Sequence, residues 1–354
     1  MTIEQKVRIA LDEIRPILQA DGGDLELVAV EGATAHVRLK GACSGCPSAT
    51  ATLRNVVEEK IREHCPEIEH VIDVDARPEP HGRVARSPFE DQLPLHGVKT
   101  ILAVASGKGG VGKSTVAVNL ALALHRQGRR IGLLDADVYG PSIPTMLGAH
   151  ETPTSEADGI HPLERHGLAL MSIGFFLDPN TPVIWRGPMV MKALSQFLRE
   201  VRWGELDCLV VDLPPGTGDA QLTVVQVVPV TGALIVTTPS DVALLDARRA
   251  IGMFERVGVP VIGVVENMSS FVCPHCGKGT NVFSHGGAAT VARETKVPFL
   301  GDIPLHASIC HGGDHGRPVM VEAPQSPEAQ AFVEVANKVL GFLDAAERLR
   351  APVH

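Results

Sequence analysis

The chain has 354 residues, enough to bury a sizeable core and to divide into more than one domain. A formal net charge of −9, no basic run, one Tyr and two Trp leave it without the basic surface and stacked aromatics that nucleic-acid binding needs. The charged start "MTIEQKVRIALDEIRP" lacks the apolar core of a secretory signal, and Gln226 and Pro229 interrupt the longest apolar stretch, so a cytoplasmic protein with no membrane span is expected.

In chain order, Val7, Leu11, Ile14 and Leu18 recur at helical spacing, and the stripe ends at "DGGD". "DLELVAVE" and "ATAHVRLKG" alternate as strands about the turn "EGA". "SATATLRNVVEEKIREH" predicts a second helix and "IEHVIDV" a last short strand. The order α-β-β-α-β predicts a small α+β domain over residues 1–76. Residues 77–97, rich in Pro and charge and without an apolar period, predict a flexible linker. As a random coil it would separate its ends by roughly 25 Å.

Residues 98–354 predict a second domain. The buried-strand candidates are "TILAVAS", "RIGLLDAD", "LALMSIG", "LDCLVVDLP", "GALIVTT", "VPVIGVVENM" and "PFLGDIP", with amphipathic helices between most of them. That alternation predicts a doubly wound α/β fold whose mostly parallel sheet binds its ligand at the strands' C-terminal ends. The last helix carries Phe332, Val335, Val339 and Phe342/Leu343 on one face, with too few Lys and Arg opposite for a membrane-seeking helix, so core packing is expected.

The first strand of this domain runs into "SGKGGVGKST", which fits G-x-x-x-x-G-K-[ST] in the strand–loop–helix context that such a loop requires. Backbone N–H groups of Gly107, Lys108, Gly109, Gly110, Val111 and Gly112, with the following helix N-terminus, form a cradle for a triphosphate. Lys113 is placed to neutralise the β- and γ-phosphates, Ser114 to hold Mg²⁺, and Thr115 follows in the first helical turn. Asp135 and Asp137 end the second strand, and Asp212 follows four apolar residues in "CLVVDLPPGTGD", where a carboxylate reaches Mg²⁺ through water. A lone Asp at a strand end often only caps a helix. Lys108 is a second lysine where the loop needs one, and by itself it reads either as a solvated loop residue or as a cation for some other phosphate.

The cysteines pose a matching puzzle. Cys273 and Cys276 in "CPHCGKG", like Cys43 and Cys46 in "GACSGCPSATATL", are CxxC half-sites with no second CxxC at zinc-ribbon spacing. Two protomers face to face would supply four thiolates, enough for a [4Fe–4S] cluster or for Zn²⁺. An ordinary dithiol or redox pair is the other reading. Cys43 and Cys46 precede a helix, where N–H groups and the helix dipole favour thiolates. His275 reads as a spacer with a metal ligand as the minor reading, Cys310, His311 and His315 as surface or packing residues with an auxiliary metal contact as the minor reading, and Cys65 and Cys208 as buried or inert.

These motifs carry two resemblances. "SGKGGVGKST", "LLDADVYGPSIP", "RGPMV", "VVDLPPGTGD" and "ENMS" with its following CxxC resemble the Mrp-type (ApbC-like) iron–sulfur carrier ATPases of the MinD/ParA class, which also includes the nitrogenase iron protein. That resemblance covers nearly all of residues 98–345. It implies a homodimer in which Lys108 reaches the partner's ATP, Asp137 orients the attacking water, Asn267 helps to read adenine, and Cys273 and Cys276 bridge a [4Fe–4S] cluster for delivery to apo iron–sulfur proteins. "LDEIRPILQADGGDLELV" and "VRLKGACSGCPSATATL" resemble the C-terminal domain of NifU-type scaffolds, which implies a second cluster at Cys43 and Cys46 between two copies. The fusion departs from the commoner carrier pattern of a different small N-terminal domain or none. The expected function is thus an ATP-dependent cluster carrier working with apo-proteins and assembly scaffolds. The rivals are a positioning ATPase like MinD or ParA, a reductase like the nitrogenase iron protein, and a zinc-bound nucleotide-binding scaffold.

Overall fold

The computed structural model describes residues 2–20, 23–41, 57, 60–61, 64–68, 70–74, 92–157, 159–177, 187–273 and 275–350. The chain divides into two compact units, Met1–Ala85 and Arg86–His354. Cys43, Cys46, Pro274, Arg186 and residues 77–91 of the expected linker lie outside the described residues, as does most of the expected second helix.

In the first unit, α1 (Ile3–Ala20) begins with a reciprocal cap: Gln5 N donates to Thr2 Oγ1 at 3.3 Å and Thr2 N donates to Gln5 Oε1 at 3.0 Å. Val7, Leu11 and Ile14 are buried as their spacing predicts; the side chain of Leu18 lies outside the description. Strands β1 (Gly23–Glu31) and β2 (Thr34–Gly41) pair antiparallel about a turn in which Gly32 takes φ +60°, and β3 (His70–Asp73) joins β2 in parallel. Residues 57, 60, 61 and 64 are helical, and Val57 and Ile61 share the core with Val7, Leu11 and Ile14.

Among the described residues the second unit is built on a sheet of nine strands. Those named by the sequence are β4 (Val98–Ala105), β5 (Ile131–Asp135), β9 (Leu168–Ser172), β10 (Leu206–Asp212), β11 (Gly232–Thr237), β12 (Val261–Val272) and β14 (Phe299–Leu305). All seven are parallel, in the order β14-β12-β11-β4-β10-β5-β9. The sheet is extended by two short antiparallel edges, β8 (Leu163–Arg165) on β9 and β13 (Gly279–Thr280) on β12, and β6 (Ser155–Glu156) with β7 (Gly159–Ile160) forms a separate two-stranded ribbon. Chain order reverses at β4, whose neighbours β11 and β10 both come much later, and the crevice at such a reversal is where open α/β sheets bind ligands.

Helix α2 (Lys113–Arg126) follows β4 and is buried continuously from Val116 to Leu124, an all-round apolar helix enclosed by its own unit. It packs against the closing helix α10 (Pro327–Arg350), in which Phe332, Val335, Val339 and Leu343 are buried as core residues. No helix among the described residues is long and apolar enough to cross a membrane. One boundary differs from expectation. Residues 92–97, read as linker, belong to this unit: Leu95 is buried in its core, Gln92 Nε2 donates to Val225 O, and Leu206 N donates to Gly97 O at 2.8 Å.

Candidate active site and thiolate hairpin

Parallel register brings the acidic strand ends into one row. Asp212 on β10 is the Cα partner of Asp135 on β5, and Asp135 is the partner of Ser172 on β9. The loop between β4 and α2 lies beside this row. Lys113 Nζ donates to Asp212 Oδ1 at 2.7 Å and stands 3.7 Å from Asp137 Oδ2; Ser114 Oγ donates to Asp212 Oδ2 at 2.5 Å. Lys113 is 6% exposed and Asp212 fully buried. Removing one member of such a pair costs on the order of 3–5 kcal/mol, because the other charge is left in a dry interior.

Two glycines of the loop are dictated by close approach. A Cβ on Gly107 would lie 2.1 Å from Asp246 O in α6 (Asp241–Arg256), and one on Gly112, whose φ is +78°, would lie 2.2 Å from Asn267 Nδ2. The loop therefore packs closely between α6 and β12. Asn267 Nδ2 donates to Val111 O at 2.8 Å, so Asn267 acts on the loop itself, a contact the sequence reading did not foresee. Lys108 is half-buried; Ser106 Oγ donates to its carbonyl at 2.9 Å, and its ammonium makes no ion pair with a described residue. Gly109 and Gly110 are exposed at the loop's outer edge, and Thr115, in the first turn of α2, accepts through its carbonyl from Asn119 Nδ2 at 2.9 Å. The "PPGTGD" segment is tied in by Gly216 N, which donates to Ser106 O at 2.9 Å.

Beyond the crevice β12 continues into a hairpin with β13. Phe271 and Val272 pair with Thr280 and Gly279, Cys273 N donates to Lys278 O at 3.1 Å, and Gly277 N donates to Cys273 O at 2.8 Å. Cys273 is half-exposed and Cys276 exposed. The N–H groups of His275 and then Cys276, together with the Cys276 thiol, hold the Cys273 thiol below its ordinary range, which favours the thiolate that metals bind. Among the described residues no group of three or more His, Cys, Asp and Glu is placed to hold a metal, so this pair gains no third ligand from them. Three other described thiols are shifted toward their protonated form. Burial pushes Cys208 up to about 12, burial and Glu67 raise Cys65, and the charge of Asp314 raises the exposed Cys310. His311 and His315 stack with ring centroids 4.0 Å apart.

Residues 97–340 match the NUBPL iron-transfer P-loop NTPase family. The chain belongs to that family. Residues 7–72 of this NTPase match a NifU-like domain. The iron–sulfur cluster carrier protein of Haemophilus influenzae is 54% identical over 251 residues, covering 70% of the chain and 68% of the relative. A carrier protein of the same description from Synechocystis is 44% identical over 331 residues and covers 90% of each chain. Its match leaves only about a tenth of the NTPase uncovered and so enters the N-terminal unit. Among solved structures, a nucleotide-binding protein of Archaeoglobus fulgidus in complex with ADP aligns at TM-score 0.59 and 39% identity, over 70% of this chain and 96% of its own. The cell division ATPase MinD of Pyrococcus furiosus, at TM-score 0.52 and 24% identity over 69% and 99%, shares the fold.

The row of acids in the NTPase carries a titration of its own. Burial, and next the charge of Asp212, push Asp135 up to about 7 from the ordinary 3.8, against the pull of Lys113, Ser172 Oγ and the Ile143 N–H. Burial also raises Asp137. Below about pH 4 Asp135 is protonated whether the chain is folded or not; between there and about 7 the folded chain keeps a proton that the unfolded chain has lost. Raising the pH across that window therefore removes stability, by up to about 4 kcal/mol for this group. Thermal unfolding of the nucleotide-free NTPase from pH 5 to 8 should fall more steeply for wild type than for Asp135→Asn. Equal slopes would mean that Asp135 is ionised throughout.

Proposed function

We propose that this NTPase is an ATP-dependent carrier that holds a [4Fe–4S] cluster on Cys273 and Cys276 of two chains and delivers it to apo iron–sulfur proteins. The observation that carries the reading is that one strand joins the phosphate-binding loop to the metal-ready thiol pair: β12 holds Val111 through Asn267 and ends at Val272, next to Cys273. The relatives named as iron–sulfur cluster carriers and the structure with ADP support the cargo and the nucleotide.

With Mg-ATP bound, Lys113 would give up Asp212 for phosphate oxygens, and Ser114 and Asp212 would be the residues to hold Mg²⁺, which would supply neutralisation of phosphate charge. The exchange replaces one charge-assisted pair by another, so the buried lysine is never left without an anion. Asp137, close to Lys113 but outside its bond to Asp212, orients the attacking water, and Lys108 supplies a cation to the partner's phosphates. Asn267 spends Nδ2 on Val111, which leaves its carbonyl oxygen for the adenine amino group and favours ATP over GTP.

The N-terminal NifU-like unit would hold a second cluster on Cys43 and Cys46 and exchange it with the NTPase unit. A tether between two such modules raises their effective concentration for one another to about millimolar. The test is anaerobic reconstitution with iron and sulfide, followed by metal analysis and transfer to an apo-enzyme with and without Mg-ATP. Equal iron and acid-labile sulfide, with delivery that responds to Mg-ATP, is the expected result. Zinc alone on the thiols, or delivery indifferent to nucleotide, would overturn the reading. Cys43→Ser/Cys46→Ser protein should deliver more slowly than wild type; unchanged delivery would remove the internal relay.

A further inference from the structure

We propose that the backbone bulge at Met268 is the joint through which the phosphate-binding loop sets the position, and so the reactivity, of the Cys273–Cys276 hairpin. The inference rests on the carrier reading above but concerns the chain's own thiols. Three non-glycine residues among those described have positive φ: His166, Met268 and Lys296. His166 lies in the tight turn between β8 and β9, and Lys296 ends α7 (Gly287–Thr295), both ordinary places for a left-handed residue. Met268, at φ +58°, lies inside a strand of the central sheet, where nothing local calls for it. A strained residue persists in such a place only when its surroundings impose the conformation.

The surroundings are on both sides of it. Before Met268, Asn267 is bonded to Val111 O of the phosphate loop, and Gly112 is pressed so close that a Cβ there would meet Asn267 Nδ2 at 2.2 Å and Met268 Cε at 3.5 Å. After it, Ser269 Oγ donates to Asp302 Oδ2 at 3.0 Å and lies 3.2 Å from Ile303 O, fastening the strand to β14. Register records the result: Asn267 pairs with Ile303 but Phe271 with Leu305, so β12 advances four residues where β14 advances two. One residue further back, Glu266 is buried and fixed by the N–H groups of Gly286 and Ala288 at the start of α7. Met268 thus lies between an anchor on the nucleotide loop and an anchor on the sheet, within the register shift.

Beyond Ser269 the chain is stiff. Phe271 and Val272 are laddered to β13, and the Cys273–Lys278 backbone bond closes the hairpin. A shift of Val111 as the loop closes on phosphates pulls Asn267, turns the peptide at Met268, and moves Cys273 and Cys276 as one body. The same path read backwards lets a metal held by the hairpin bias the loop, since coupling between two sites is reciprocal.

The test uses the full chain, reduced and metal-free. Iodoacetamide alkylation rates of Cys273 and Cys276 are measured by mass spectrometry without nucleotide, with Mg-ADP and with a non-hydrolysable Mg-ATP analogue, with the exposed Cys310 as internal reference. In wild type, nucleotide should change the rates of Cys273 and Cys276 by about fivefold or more, with Cys310 constant. Met268→Gly, which removes both the strain and the side chain beside Gly112, should reduce that response to under about twofold while nucleotide still binds. Ser269→Ala, which releases the second anchor without touching the phosphate loop, should do the same and decides the matter if Met268→Gly does not fold. A wild type without response, or variants that keep the full response, overturns the proposal. Iron content measured separately keeps the two readings apart: iron held without a nucleotide response sinks the joint alone, and a response without iron sinks the carrier alone.

Discussion

Replacing Lys108 by Ala is expected to lower ATP turnover by about 10³- to 10⁵-fold while ATP still binds, the range for removing a cation delivered in trans to a phosphoryl-transfer transition state. That corresponds to about 4–7 kcal/mol of transition-state stabilisation. The two lysines of the loop occupy opposite environments. Lys113 is buried against Asp212, the ligand-free stand-in for its phosphates, whereas Lys108 is half-buried and ion-paired to no described residue. On the proposed reading Lys113 serves the phosphates of its own chain and Lys108 those of a neighbouring molecule.

The measurement that separates this from a solvated loop lysine is complementation. Lys108→Ala and Asp137→Asn proteins should each be inactive alone. In a mixed dimer, the chain that lacks Lys108 keeps its own Asp137 and receives Lys108 from its partner, so mixing should restore phosphate release. A Lys108→Ala protein with turnover within tenfold of wild type, or a mixture that stays inactive, rules out the trans assignment. A fluorescent-nucleotide titration of the variant shows whether the loss lies in binding or in chemistry.

The parallel sheet was legible because its strands, apart from the partly exposed β14, contain buried apolar runs flanked by Gly, Pro or an acid, and Asp135 and Asp212 were legible because they end such runs. Their adjacency is a consequence of parallel pairing, which aligns strand ends whatever their distance in sequence. Contacts across the fold were not legible. Asp246 against Gly107, Ser172 on Asp135 and Asn267 on Val111 join residues with no shared period, and only the Gly107 and Gly112 positions hinted that something sits close. The edges β8 and β13 have three and two residues, too few for alternation to register. Residues 92–97 looked like linker because they show no apolar period and continue a Pro- and charge-rich stretch, yet Leu95 in a core and Gln92 on a carbonyl suffice to fix them. Met268 left no trace in the sequence, since left-handed backbone is expected of Gly or Asn and not of Met.

The second large effect concerns the thiol hairpin. Ser in place of Cys273 and Cys276 should abolish metal at that site, because a serine hydroxyl keeps its proton where the thiol gives it up. The fold prepares that loss of the proton at Cys273 through the N–H groups of His275 and Cys276. A [4Fe–4S] cluster shared by two chains amounts to about two irons per chain, so wild type loaded at both CxxC pairs should carry about four. Cys273→Ser/Cys276→Ser should retain about two, held at Cys43 and Cys46, and should lose the Mg-ATP response of delivery altogether. Its nucleotide affinity, read on the same sample, reports whether the P-loop unit is folded. The decisive point is stoichiometry against mass. Two thiols and no third ligand among the described residues do not complete a cluster, and on the proposed reading a partner chain supplies the other two thiolates. Full iron on a chain that sediments as a monomer would mean that the missing ligands come from the same molecule, and the pairing of Lys108 with a partner's nucleotide would lose its geometric basis as well.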